Sequence, residues 1–138
     1  MTCPGMGVVR VAELVATVVT PHRFRTRASF WSYCGLSVVT RSSSDWQQND
    51  RREWEYQRHA VTRGLTRQGN RRLKRVFFGA ALTAITRAPE VRADYEEKLK
   101  RTRPPMVRIT IARKLAAVIL AMRKAEEVYD PNRYTRHA

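Results

Sequence analysis

Cysteine is nearly absent from this sequence. Cys3 and Cys34 are the only two in 138 residues, too few for a disulfide scaffold, and neither belongs to a Cys-x-x-Cys or Cys/His cluster with metal spacing. A reducing, cytoplasmic compartment is the simplest expectation. Long apolar runs are missing as well. The longest charge-free helical stretch, Val76 to Thr86, is closed by Arg75 and Arg87, well short of the ~18 apolar residues a membrane span needs. No membrane partner is expected. The opening Met1-Thr2-Cys3-Pro4-Gly5 lacks a basic start followed by an apolar run, so no signal peptide is visible. The three histidines, His22, His59 and His137, have no companions at ligand spacing, and no metal site or cofactor is expected in this chain. Internal repeats, low-complexity tracts and linkers are lacking too, which leaves one domain.

Acid is scarce beside base. Twelve Asp and Glu face 27 Lys and Arg, a formal charge of +15 at pH 7. A surface so unbalanced favours a polyanion, because it attracts phosphates and gains from counterion release when it binds them. Nucleic acid is the leading partner. Of the 27 basic residues 22 are Arg, the side chain suited to bidentate phosphate contacts and stacking, although GC-rich coding sequence raises Arg for no functional reason. With 43% hydrophobic residues, a chain of this length has material for one core and buries roughly 68% of its unfolded surface.

The apolar pattern predicts a mainly α, single helical domain. Val8, Val11, Ala12, Val15 and Val18 recur at helical spacing over Gly7 to Val19. Thr20-Pro21 opens a short turn through Phe24. Thr26 caps a helix running to Tyr33 or Cys34, which buries Phe30 and stops at Gly35 in a left-handed position. Residues 36–42 are β-branched and hydroxyl-rich and predict a short β element, then a loop. Residues 47–69 are polar and undecided. Leu73, Val76, Phe77, Ala80, Ala81 and Ala84 then follow the i, i+3, i+4, i+7 rule of an amphipathic helix. A charged helix starts at Ala88-Pro89-Glu90 and carries Val91, Tyr95 and Leu99 inward, with Asp94 and Lys98 as an i, i+4 pair. Pro104-Pro105 breaks it. The last helix runs from about Val107 to Lys124, and the chain from Tyr129 on, 132–138 above all, is expected to be a loose tail.

Three places invite chemistry. Pro4-Gly5-Met6-Gly7 ahead of a helix is similar to the hairpin of helix-hairpin-helix modules, where backbone amides at Gly5 and Gly7 would hold a phosphate; a plain tight turn fits equally well. Arg51 to Arg75 holds nine basic residues and two acidic ones, which makes Arg67, Arg71, Arg72 and Arg75, around Asn70, the candidate backbone contacts. A solvated basic face is the plainer reading. Ser42-Ser43-Ser44, between Arg41 and Asp45, puts a hydroxyl, a cation and a carboxylate side by side. Serine runs usually satisfy turns, and no convincing base stands beside this one.

In order, Pro4-Gly5-Met6-Gly7, Thr20-Pro21-His22-Arg23-Phe24-Arg25, Tyr33-Cys34-Gly35-Leu36, Ser42-Ser43-Ser44 and Gln68-Gly69-Asn70-Arg71-Arg72-Leu73 resemble the C-terminal domain of transposases of the insertion-sequence 110 family, the 116/110/902 group. Tyr95, Ile111-Ala112-Arg113-Lys114-Leu115 and Tyr129-Asp130-Pro131 agree as well, so the resemblance spans residues 1–131. It implies a DNA recombinase with two catalytic parts. One is an N-terminal RuvC-like domain whose acidic residues bind magnesium or a similar ion. The other is a serine that attacks a DNA phosphodiester. By position after Gly35-Leu36 that serine is Ser43, with Arg41 neutralising the attacked phosphate. The family's following glycine is replaced by Ser44, and its usual proline by Val38, so Ser42 and Ser44 remain register alternatives.

The resemblance further implies a guide RNA and homo-oligomers, or association with a full-length transposase. With no metal-binding domain in 138 residues, the expectation is a truncated or decayed product that binds nucleic acid with little or no strand exchange. A small basic RNA-binding or ribosome-associated protein is the alternative, and a helical interaction module a third reading.

Overall fold

A computed structural model of the chain describes residues 3–41, 46–48, 51–56, 61–65 and 67–136. The described residues form six α-helices and a β-arm. The helices are α1 (Val8–Val18), α2 (Arg27–Tyr33), α3 (Arg71–Arg87), α4 (Pro89–Leu99), α5 (Pro104–Ala125) and α6 (Pro131–Arg136). A 3-10 turn, Pro21–Arg23, joins α1 to α2. Between α2 and α3 lie four short strands, β1 (Val38–Arg41), β2 (Trp46–Gln48), β3 (Trp54–Tyr56) and β4 (Val61–Leu65).

α5 is the centre of the helical body. Ile111, Ala112, Leu115, Ala116, Val118 and Ile119 are wholly buried, because α2, α3, α4 and α6 all pack against it. Its apolar residues run around more than one face, as expected of a helix surrounded by others. The helix begins three residues earlier than the sequence suggests. Pro104 and Pro105 do not precede α5 but occupy its first turn, where a missing N–H costs nothing. In α3 the six positions of the predicted stripe, Leu73, Val76, Phe77, Ala80, Ala81 and Ala84, are the buried ones, and α1, α4 and α5 contact that helix.

The short elements are held by their ends. Thr26 and Ser29 form a reciprocal capping box at the start of α2. At its end, Leu36 N–H donates to Trp31 O (2.8 Å) and Gly35 N–H to Ser32 O (3.2 Å), with Gly35 at φ +71°. This paired closure is the Schellman motif, and Gly35 supplies its left-handed residue. Phe24, just past the 3-10 turn, meets Phe30 at 5.0 Å and Tyr33 at 5.2 Å, and Phe30 meets Phe77 edge-on at 5.8 Å. These rings tie the turn, α2 and α3 into one core.

The expected β element near 36–42 is β1, and the undecided stretch behind it forms the rest of the arm. β1 pairs antiparallel with β4 (Val38 opposite Leu65, Arg41 opposite Val61), and β2 pairs antiparallel with β3 (Trp46 opposite Tyr56). The second hairpin is nested inside the first. The tail expectation is corrected over 131–136. These residues form α6, whose Tyr134 is 1% exposed. Asp130 accepts Asn132 N–H at 2.9 Å and Pro131 occupies the first turn, so the helix is started by its own sequence. At the other end, Cys3 to Met6 make a tight turn closed by Met6 N–H donating to Cys3 O (3.1 Å), and α1 follows. Among the described residues no helix precedes that turn.

Candidate nucleic-acid interface

The root of the arm brings two of the sequence motifs into contact. Gly69 has φ +112°, and a methyl group there would stand 2.6 Å from Gly35 N and 2.9 Å from Ser32 O. Backbone can approach backbone this closely only because position 69 has no side chain. Asn70 N–H donates to Tyr33 O at 2.7 Å, which locks the end of α2 to the start of α3. Asn70 is also the N-cap of α3, its Oδ1 accepting from Arg72 N–H (2.9 Å) and Leu73 N–H (3.2 Å).

From that cap the arginines fan outward. Arg67, Arg71, Arg72 and Arg75 are exposed, while Leu73, Val76 and Phe77 on the same turns point into the core. A depression of about 170 Å³ at this corner is lined by Gly35, Arg67, Gln68, Gly69, Asn70, Arg71 and Lys74. Among the described residues none of these cations pairs with a carboxylate, and the first turn of α3 contains no acidic residue. Such a turn normally prefers Asp or Glu, since the helix dipole puts a partial positive charge there. Here cations sit on the positive end.

Arg41 closes β1 three residues beyond Val38, which faces Leu65 at the arm's root. At a strand's ~3.3 Å per residue this is about 10 Å along the strand from Val38. Ser42, Ser43 and Ser44 follow it in sequence and lie outside the described residues, as does the side chain of Arg41. Gly5 and Gly7 stand elsewhere. Gly5, at φ +78°, lies on α3, where a methyl would meet Ala80 O at 2.1 Å, and its own carbonyl accepts Arg10 Nη1 (2.8 Å). Gly7 is the N-cap of α1, with open space around it. The structure thus joins Asn70 with Arg67, Arg71, Arg72 and Arg75, and sets Gly5 and Gly7 apart from them.

A second cationic cluster escaped the sequence reading. Arg27 and Trp31 on α2, Lys98 on α4, and Arg113 and Lys114 on α5 line a pocket of about 270 Å³. Its signal was available: a charged pair, Arg113-Lys114, interrupts the apolar run of α5, and Arg27 and Trp31 are one helical turn apart. Asp94 stands against two of these cations, Lys98 and Lys114. Among the described residues no group of three or more His, Cys, Asp or Glu stands close enough to hold a metal ion, and no helix is long and apolar enough to cross a membrane.

Comparison with known proteins places this arrangement. The sequence model of the Transposase IS116/IS110/IS902 family matches residues 1–96, which takes in α1, α2, the arm, α3 and most of α4. The chain belongs to this family. A relative, the insertion element IS110 uncharacterized 43.6 kDa protein of Streptomyces coelicolor, is 30% identical over 128 residues. That match covers 92% of the chain and 28% of the relative. No solved structure matches. Within this chain, the Thr20–Arg25, Tyr33–Leu36 and Gln68–Leu73 motifs coincide with a turn, a helix stop and a helix start.

Proposed function

We propose that this chain acts in DNA transposition, holding a DNA strand at the start of α3 and presenting a serine of the β-arm to a phosphodiester. The observation that carries the reading is the set of arginines, Arg67, Arg71, Arg72 and Arg75, without carboxylate partners among the described residues, at the positive end of α3. For the fold alone this placement is unfavourable. A phosphate bound there reverses the sign, gaining from the guanidinium groups, the helix dipole and counterion release together. Asn70 and Gly69 act by holding the corner in shape.

Arg41 would neutralise the attacked phosphate. Ser43 is the proposed nucleophile, with Ser42 and Ser44 as alternatives of register. Its oxygen bonds to phosphorus as the bond to one deoxyribose oxygen breaks, and the serine proton ends on the departing oxygen. One phosphoester bond replaces another, so no external energy source is needed. The described residues offer no cluster for a divalent metal; the family resemblance assigns such an ion to a RuvC-like domain.

The binding half is tested by measuring duplex affinity against salt. The logarithm of affinity should fall linearly with the logarithm of salt, and Arg71→Gln/Arg72→Gln/Arg75→Gln should reduce the slope by about 2.7 if each arginine meets one phosphate, at ~0.9 per contact. An unchanged slope removes the interface. The chemical half is tested by supplying a RuvC-like domain in trans and looking for a covalent protein–DNA adduct. Loss of the adduct in Ser43→Ala but not in Ser42→Ala or Ser44→Ala fixes the nucleophile.

A further inference from the structure

The pocket between α2, α4 and α5 has the makings of an anion site remote from the α3 corner in sequence and role. Four cations line it: Arg27, Lys98, Arg113 and Lys114. One carboxylate, Asp94, serves two of them, through Lys98 Nζ and through Lys114 Nζ at 3.1 Å. Glu97 lies within electrostatic reach of Lys114. Arg27 and Arg113 pair with no acid among the described residues.

Both arginines are held by one indole. Arg113 lies over the Trp31 ring at 4.3 Å and Arg27 at 5.5 Å, and Trp31 is itself fixed by its indole N–H donating to Arg113 O at 2.7 Å. Stacking of this kind orders a guanidinium while leaving its edge free to donate. The Nε of Arg113 is buried and finds no acceptor among the described residues, which is costly for a charged donor. Burial first, then the neighbouring Arg27, pushes the Arg113 pKa below the ordinary arginine value. Two like charges held together by the fold, one of them desolvated, are stabilised by an anion that accepts from both.

We propose that this pocket binds a phosphate group, with Arg113 and Arg27 as its fork and Lys98 as a supporting charge. The volume admits a tetrahedral oxyanion together with part of the sugar that carries it. The partner is a phosphate of a nucleic-acid strand, an assignment that rests on the proposed function, whereas phosphate binding itself does not. A free phosphate or phosphorylated metabolite shares the chemistry, and the test separates the sources.

The full chain is labelled with nitrogen-15, and the Arg113 Nε–H and Trp31 indole N–H resonances are followed, assigned through Arg113→Lys and Trp31→Phe. Inorganic phosphate should move both saturably at millimolar concentration, and chloride at matched ionic strength should not. Arg27→Gln should weaken the response at least tenfold, and Arg27→Lys less. An oligothymidylate that shifts both resonances, in wild type and in the chain carrying Gln at 71, 72 and 75, identifies strand phosphate as the ligand. Response to inorganic phosphate alone supports a phosphate site filled by a small molecule. If neither probe moves the resonances of the unmodified chain, the pocket proposal fails, while salt-dependent duplex binding at α3 still stands. If duplex binding is lost and the phosphate response persists, the proposed function fails and the pocket stands.

Discussion

A single methyl group separates two outcomes for the glycines of this chain. Gly69→Ala drives a Cβ to within 2.6 Å of Gly35 backbone at φ +112°, so something in the arm's root must shift. The expected cost is about 2 kcal/mol or more from backbone strain and collision, measured by urea unfolding. Gly7→Ala meets open space and should stay within about 0.5 kcal/mol of wild type. Equal effects would mean the root is not packed as described. The thiols give a second residue-scale test. Burial pushes both Cys3 and Cys34 up to about 12, with Glu90 adding to the effect at Cys3. At pH 8 neither is a thiolate, so a disulfide reagent should label them only on unfolding. Gly35 was legible because a helix stop is a local event. Gly69 was not, because its reason is a backbone distant in sequence.

At the scale of elements, α6 depends on one carboxylate. Asp94 accepts from Tyr134 Oη (2.8 Å), Lys114 Nζ (3.1 Å) and Lys98 Nζ, tying α4 to α5 and α6. Burial raises its pKa, but the hydrogen bonds from Lys98, Tyr134 and Lys114 outweigh that and hold it below the usual carboxylate value. A carboxylate lowered on folding contributes stability that is present above its unfolded pKa of ~3.9 and is lost as pH falls through the folded value. Wild type should therefore lose stability below about pH 4, and Asp94→Asn should lack that component. At neutral pH Asp94→Asn leaves Lys114, only 7% exposed, without its counter-charge, for a loss of about 3 kcal/mol. Adding Lys114→Met should recover part of it. Tyr134→Phe should cost about 1.5 kcal/mol. If Asp94→Asn were neutral at pH 7, the Asp94 carboxylate would not be what holds α6. The Asp94–Lys98 pair was readable from i, i+4 spacing. Tyr134 was hidden in a polar segment, where Asp130-Pro131, a cap followed by a first-turn proline, was the missed sign of a helix.

For the whole molecule the helices were far more legible than the arm. Their apolar stripes are recorded at 3.6-residue spacing, whereas β1 to β4 are three to five residues long, too short for alternation to stand out, and backbone bonds set their register. The charge was legible at once, and it predicts opposing responses to salt. At +15 the folded chain repels itself, and raising salt from about 0.01 to 0.15 M shortens the screening length from about 30 to 8 Å. Thermal stability should rise over that range while duplex affinity falls. Replacing Arg71, Arg72 and Arg75 by Gln lowers the charge from +15 to +12 and relieves the positive end of α3. At low salt this variant should be more stable than wild type, by about 0.3–1 kcal/mol per arginine at the helix terminus, and should bind duplex more weakly. Gain in one property with loss in the other is the signature of residues kept for a ligand against the interest of the fold. A variant that lost both would assign these arginines to holding the structure together, and the α3 corner would cease to be an interface.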